Sequence, residues 1–306
     1  GRFGWLVLFR KVRMNIMKKN RLLAFMLTGI MTIGTLTGCG SSDDKGSSDD
    51  KKVLKVGMEC TYAPFNWTQD SEELPNGEKA VPISGTNTYA YGYDVMVAKK
   101  IADKLGMDLE IHKVEWDSIG MSLNAGEYDC IIAGMGRTAE REESYAFTEP
   151  YYYRDNCLVV KVGSGLEDIT GLSQLAGKNV TLTTQLGTGW VNLLDQVPDA
   201  KLGSNYETTA ECFMAISNGV ADVCVIDVPT AESAAMTNSE LKIINLDSGD
   251  KFENDEDMTN VCIATRKDDT ELRDEIQGAM DDIGWNDKAQ MDKLMEEAVD
   301  LQPAAN

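Results

Sequence analysis

Gly126-Glu127-Tyr128-Asp129-Cys130-Ile131-Ile132-Ala133 and Gly219-Val220-Ala221-Asp222-Val223-Cys224-Val225-Ile226 are near copies of one another, offset by 93 residues. Each reads as a glycine that closes a helix, an aspartate, and a short apolar strand. Helical patterns precede both, over 118–124 before the first copy and 207–217 before the second. Working outward, Val53–Met58 and 109–114 read as strands around an amphipathic helix at 94–105, closed by Gly106. After the first copy the pattern resumes with a strand at 180–183 and a helix from Trp190. Such βαβ alternation predicts parallel sheets covered by helices on both faces, and the echo predicts two similar α/β lobes. Two further helices are expected over 269–283 and 286–299.

Lys18, Lys19 and Arg21 form a basic patch ahead of an apolar run over 22–36, which also holds Thr28, Gly29, Thr32, Gly34 and Thr35. A membrane-spanning helix needs roughly 20 predominantly apolar residues, so this run fits the core of a signal peptide better. It ends in Leu36-Thr37-Gly38-Cys39, the shape of a bacterial lipobox. Small residues there admit a signal peptidase, and the Cys39 thiol accepts a diacylglyceryl group. The plainer alternative is an uncleaved anchor with an incidental cysteine. Met17 is a better start than anything upstream, so 1–16 read as non-native translation or an alternative start, and 1–38 as leader and signal peptide. Residues 39–52 carry Gly, Ser, Asp and Lys with almost no apolar surface to offset ordering entropy, and read as a lipidated cysteine with a flexible tether. The expected location is extracytoplasmic and lipid-anchored to the cell membrane, and Gly40 after Cys39 leans toward a Gram-positive surface.

The chain has 50 acidic and 29 basic residues, and without the leader its net charge is about −28. Nucleic acid is an unsuitable partner for such a surface. The excess reads as solubility, with a weak long-range preference for cations. About 250 residues follow the tether, enough for one large domain or two lobes. Six cysteines remain beyond Cys39: Cys60, Cys130, Cys157, Cys212, Cys224 and Cys262. An exported chain invites a disulfide reading. Yet Cys130, Cys157, Cys224 and Cys262 sit in or beside apolar, strand-like runs, where free cysteine packs as a small hydrophobe. Buried thiols are the expectation. No close-spaced pair of cysteines points to a metal, and His112, the sole histidine, reads as a surface residue of a strand. No cofactor, metal or histidine-based catalysis is expected.

Five segments carry a resemblance to a known family. They are Val56-Gly57-Met58-Glu59-Cys60-Thr61-Tyr62-Ala63-Pro64-Phe65 and Tyr91-Gly92-Tyr93-Asp94-Val95-Met96-Val97-Ala98-Lys99-Lys100-Ile101-Ala102, followed by Tyr128-Asp129-Cys130-Ile131-Ile132-Ala133-Gly134-Met135, Ala139-Glu140-Arg141-Glu142 and Phe147-Thr148-Glu149-Pro150-Tyr151-Tyr152. From Val53 to about Glu297 the chain resembles the amino-acid solute-binding proteins of polar amino-acid ABC importers. The resemblance implies a type II periplasmic-binding-protein fold. Its two lobes, 53–153 with 263–306 and 154–262, would each be a mostly parallel sheet flanked by helices. Two hinge segments would cross between them, near 153–160 and 260–265. A monomer would capture a polar amino acid between the lobes and deliver it by closure to an ABC permease. Met96 departs from the pattern, because the family carries an acidic residue there, on the helix surface.

Arg141 can grip an α-carboxylate with a bidentate fork, which Lys cannot supply. The resemblance gives it that role, and its plainer reading is a surface pair with Glu140 or Glu142. Gly134, Gly136 and Thr138 align with the loop whose amides and hydroxyl complete the carboxylate site, although Gly136 stands where the family has Ser or Thr. Arg137 is also unusual, and faces solvent or reaches an acidic ligand group. Gln185-Leu186-Gly187-Thr188-Gly189-Trp190 lies between a strand and a helix. The resemblance has Gln185, Thr188 and Gly189 meet the carboxylate from the second lobe, and a tight turn is the alternative. Asp227 matches the acid that pairs with the ligand ammonium, or it caps the helix after Pro229. Tyr62 and Trp116 match two rings that sandwich the ligand side chain, with Trp116 as ordinary core the alternative. Glu59 matches an acid at the far end, leaning the ligand toward a basic or amide side chain such as Lys, Arg, His or Gln. Two rival readings use the same fold: an exported dehydratase with Glu59 as base, and a ligand-sensing receptor module.

Overall fold

The computed structural model describes residues 51–253 and 259–303, so the leader, Cys39 and most of the tether lie outside the described residues. Two five-stranded sheets share one strand order. The first runs Asp108–Lys113, Val53–Met58, Cys130–Ile131, Asn260–Arg266, Tyr145–Tyr153. The second runs Lys201–Leu202, Thr181–Thr183, Val223–Asp227, Asn156–Lys161, Leu241–Ile244. In each, the first three strands pair in parallel and the fourth is antiparallel to both of its neighbours. Four of five strands therefore run the same way. The odd strand is in both cases the one that borders a crossing. Asn156–Lys161 enters the second sheet straight after Arg154 and Asp155, and Asn260–Arg266 brings the chain back to the first.

The echo that opened the sequence reading has a physical cause. Helix Ile119–Ala125 ends at left-handed Gly126, and helix Thr209–Ser217 is followed by left-handed Gly219, where a residue with no Cβ avoids strain. The next aspartate then pins the neighbouring strand. Asp129 accepts the Lys55 amide at 2.9 Å, and Asp222 accepts the Thr181 amide at 2.7 Å. Each also donates its own amide back, to the Lys55 and Thr181 carbonyls. Val223–Asp227 is buried throughout, as a strand covered on both faces must be.

Helices Tyr93–Leu105, Thr270–Asp282 and Lys288–Asp300 form where periodicity places them. Asp269 and Asp287 cap the last two, and Thr208 with Glu211 makes a reciprocal capping box on Thr209–Ser217. The helix expected from Trp190 is instead a run of 3-10 turns, Gly189–Gln196. Met96, expected on the helix surface, is 5% exposed. The C-terminal helix covers that face, and Met96 lines a small cavity with its Leu294 and Glu297. The six cysteines are buried. His112 is partly exposed on an edge strand, its Nε2 2.7 Å from a Glu110 carboxylate oxygen.

A third, four-stranded antiparallel sheet has the order Thr61–Tyr62, Asn66–Gln69, Tyr89–Tyr91, Val81–Pro82. Strands of two to four residues carry too little periodicity to be read from sequence. This sheet delivers Tyr62 to the face opposite the second five-stranded sheet.

Candidate functional site

The carboxyl ends of both sheets converge on one cleft, as expected for open α/β sheets. Among the described residues, four hydrogen bonds close it. Tyr62 donates its hydroxyl to Asp227 Oδ2 at 2.6 Å, and Gln185 Nε2 donates to Glu59 Oε1 at 3.0 Å. Trp116 Nε1 and Arg141 NH2 both donate to the Gly187 carbonyl, at 3.1 and 3.2 Å. The space enclosed behind these bonds is about 20 Å³, lined by Glu59, Tyr62, Arg141, Arg154, Gln185 and Trp190 among others. A broader cavity of about 690 Å³ lies at the mouth, sharing Trp116, Arg141, Thr188 and Gly189. The inner space is too small for any amino acid, so entry of one requires the two sheets to part.

Arg141 does not take its plainer reading. Glu142 pairs with Arg137 instead, Nε to Oε1 at 3.3 Å, which also places Arg137 outside the cleft. Arg141 donates from NH1 to the Gly136 carbonyl at 2.8 Å and lies 5.3 Å over the Trp116 ring. Burial and the nearby Arg154 charge lower its pKa to about 10. A cation held in this way gains from an arriving carboxylate.

The loop around it is hydrogen-bonded within the protein. The Gly134 amide donates to the Tyr151 hydroxyl at 3.0 Å and is already engaged. Gly134 is left-handed, and a Cβ there would fall 2.5 Å from the Tyr62 ring. Its role is to make room for that ring. Gly136 offers its carbonyl to Arg141, and Thr138 caps the short helix Ala139–Glu142 by accepting the Arg141 amide. Thr188 bonds the Gln185 carbonyl at 2.7 Å, and with Gly189 it lines both cavities.

Asp227 is fully buried and caps helix Val228–Thr237 through the Thr230 amide at 2.9 Å. Its other oxygen holds Tyr62, so it stands behind that ring rather than open to the cavity. Trp116 is partly exposed at the sheet interface and is not ordinary core. Tyr62 stacks on Phe65 at 4.8 Å.

Three contributors were given no role in the site from the sequence. Gly187 accepts both cross-cleft bonds from Trp116 and Arg141. Arg154 donates to the Tyr62 hydroxyl at 3.1 Å and the Gly134 carbonyl at 2.9 Å, and its guanidinium lies 5.1 Å over Trp190. Asp94, fully buried, holds the floor by accepting the Tyr151 hydroxyl and Asn66 Nδ2. Burial pushes its pKa up to about 6.

Burial also pushes Glu59 up to about 7, against the bonds from Gln185 and Thr61. The folded state thus holds this proton more tightly than the unfolded chain, so Glu59 favours folding most at low pH. That contribution is lost as pH rises from about 4.5 to about 7. Glu59→Gln is expected to flatten the window, with a gain at pH 8 on the order of 3 kcal/mol at most. Denaturant unfolding at pH 5 and pH 8 checks this, and an unchanged pH difference between wild type and variant defeats it.

Among the described residues no His, Cys, Asp and Glu group is arranged to hold a metal, and no helix is long and apolar enough to cross a membrane. The model of the family "Bacterial extracellular solute-binding proteins, family 3" matches residues 54–297. The arginine-binding extracellular protein ArtP of Bacillus subtilis is 28% identical over 266 residues, covering 85% of this chain and 90% of that protein. An arginine-bound amino acid ABC transporter substrate-binding protein from Streptococcus pneumoniae superposes with a TM-score of 0.67 at 25% identity, over 82% of this chain and 95% of that one. The ancestral amino acid-binding protein AncCDT-1, described as a precursor of cyclohexadienyl dehydratase, superposes with a TM-score of 0.62 at 26% identity, over 81% and 95%.

Proposed function

Because the chain belongs to the family 3 bacterial extracellular solute-binding proteins, we propose that it captures a free polar amino acid outside the cytoplasm and presents it, closed, to an ABC permease. The observation that carries the reading is the shared Gly187 carbonyl. Arg141 and Trp116 reach it from the side of the first sheet, so one residue in the loop after the strand Thr181–Thr183 reports whether the cleft is shut. A bound α-carboxylate would satisfy the Arg141 fork while the same bonds close over it. Hinge closure around ligand is the known behaviour of periplasmic binding proteins as a class. A ligand shifts that equilibrium only by its differential affinity for the two forms.

Glu59, Tyr62 and Trp116 would meet the side chain, with Glu59 favouring a basic or amide end. ArtP and the pneumococcal protein are both named for arginine, which fits that lean. Cys39 would carry the lipid that keeps the protein at the membrane, most simply as a monomer on a Gram-positive surface. Catalysis is the second reading, favoured by one observation: Glu59 is poised near neutrality in the cleft, where a general base is useful. The binding reading expects no turnover of a cyclohexadienyl acid.

A thermal-shift screen of the purified protein against the twenty amino acids tests the proposal. Ligand at 100 times its Kd adds about 2.7 kcal/mol, a melting shift of roughly 5–10 °C for a chain of this size. Shifts with one or a few polar amino acids are expected. No shift with any of them removes the amino-acid reading.

A further inference from the structure

Asp94 is fully buried, and so are Asn66 and Tyr151, two residues that donate to it. It does not border the enclosed space, yet each of its carboxylate oxygens leads to one arm of the site. From Oδ2 the path runs through Asn66 Nδ2 at 2.7 Å, and Asn66 Oδ1 accepts the Cys60 amide, also at 2.7 Å. From Oδ1 it runs through the Tyr151 hydroxyl at 2.6 Å, which accepts the Gly134 amide at 3.0 Å. Cys60 lies in the loop Glu59-Cys60-Thr61-Tyr62, and Gly134 makes room for the Tyr62 ring. We propose that Asp94 is a positioning residue for side-chain recognition: one buried carboxylate sets both the loop that carries Glu59 and the seat that holds Tyr62.

The inference rests on the binding reading above, because Glu59 and Tyr62 are its side-chain contacts. Ionised above about pH 6, the Asp94 carboxylate can only accept. Asn66 must therefore turn its amide nitrogen to Asp94, which leaves its carbonyl oxygen for Cys60. The buried end thus fixes the polarity of the whole path. What the path holds is not relaxed backbone. Cys60 has a φ of +57°, in the left-handed region, where a residue other than glycine persists only when its surroundings over-determine it. Asn66 holds its amide, and the Thr68 hydroxyl donates to its carbonyl at 2.8 Å. Asp94 is anchored in turn. It lies in the first turn of helix Tyr93–Leu105, and its amide donates to the Phe65 carbonyl at 2.8 Å. Phe65 is the ring on which Tyr62 stacks. Contact residues must be held to within about 0.5 Å, so losing this support shows in affinity and selectivity, not in stability alone.

Reversing the polarity of the path tests this. Asp94→Asn keeps the shape but sets an amide nitrogen against Asn66 Nδ2, and turning Asn66 over would set its nitrogen against the Cys60 amide. Asn66→Asp sets two carboxylates together. The double variant Asp94→Asn with Asn66→Asp restores a donor and an acceptor at every step. Whole protein is titrated calorimetrically with L-arginine, L-lysine, L-histidine and L-glutamine, and amide exchange is followed at Cys60 and Gly134. Each single change is expected to weaken the tightest of the four by about tenfold or more and to speed Cys60 exchange, with most of both recovered in the double variant. Tyr151→Phe, which leaves Asn66 in place, is expected to speed exchange at Gly134 and not at Cys60. Single variants with a lowered Tm, unchanged Cys60 exchange and affinities within about threefold of wild type overturn the inference, since Asp94 then only supports the fold. A double variant no better than the single ones overturns it as well. Should Asp94→Asn fail to fold, unchanged Gly134 exchange in Tyr151→Phe overturns it. Wild type that binds none of the four removes the basic or amide lean, and exchange then decides the inference alone: a gain at Cys60 that the double variant reverses upholds it, and unchanged exchange overturns it.

Discussion

Arg141→Ala is expected to weaken amino-acid binding more than 100-fold. Truncating one partner of a buried, hydrogen-bonded charge pair costs about 2–5 kcal/mol, and each 1.4 kcal/mol is tenfold in affinity. The upper part of that range applies because Arg141 has two tasks. It offers the carboxylate fork, and it supplies one of the two bonds to the Gly187 carbonyl that hold the cleft shut. Arg141→Lys keeps the charge but not the planar fork, so it is expected to recover part of the loss and no more. Calorimetric titration of both variants with the amino acid found in the screen checks the prediction. Affinity within threefold of wild type in Arg141→Ala defeats it. The ligand-free protein provides the control. Arg141 is held against a cost of burial and of Arg154's charge, so its removal should leave the unliganded Tm close to that of wild type.

Local chemistry decided how much of this was readable in the sequence. The strand Val53–Met58 and the helix ending at Gly106 announce themselves by alternation and by a left-handed stop, both properties of a few neighbouring residues. The Asp129 and Asp222 echo was visible because the same tertiary need, pinning the neighbouring parallel strand, recurs with the same short motif. Arg141 was legible through the motif around it. Its partners were not, because Trp116 stands 25 residues earlier in the chain and Gly187 meets it only when the second sheet folds against the first. Arg154 illustrates the limit most clearly. It follows a tyrosine-rich strand at a crossing, in a sequence context no different from that of a surface arginine. Only the crossing geometry turns it toward Tyr62 and Trp190. Met96 fails for a related reason, since a helix that begins 192 residues later in the chain covers the face that the motif leaves open.

Gly134→Ala is expected to cost about 2–6 kcal/mol of stability and to remove ligand binding. Two contributions add. Alanine at a φ of +64° enters the left-handed region at a cost of about 1–3 kcal/mol. Its Cβ would also stand 2.5 Å from Tyr62 Cε1, closer than real contacts come, and 3.2 Å from Cδ1, a tight contact. The ring is 3% exposed and stacked on Phe65, so it can yield only by abandoning its 2.6 Å bond to Asp227. That leaves a fully buried carboxylate oxygen short of a donor, a loss of about 1–3 kcal/mol. The outcome separates two roles for this glycine. Had its amide been the group that binds the ligand carboxylate, alanine, which keeps the amide, would bind almost normally. The observed bond from that amide to Tyr151 and the crowding by Tyr62 predict the opposite. A fall in Tm of roughly 4–24 °C, with no ligand-induced shift, is therefore expected. The double variant Gly134→Ala with Tyr62→Ala should lose less than the two single changes combined, because the clash has then been removed. Full additivity in that cycle would show that the ring and the glycine do not compete for the same space.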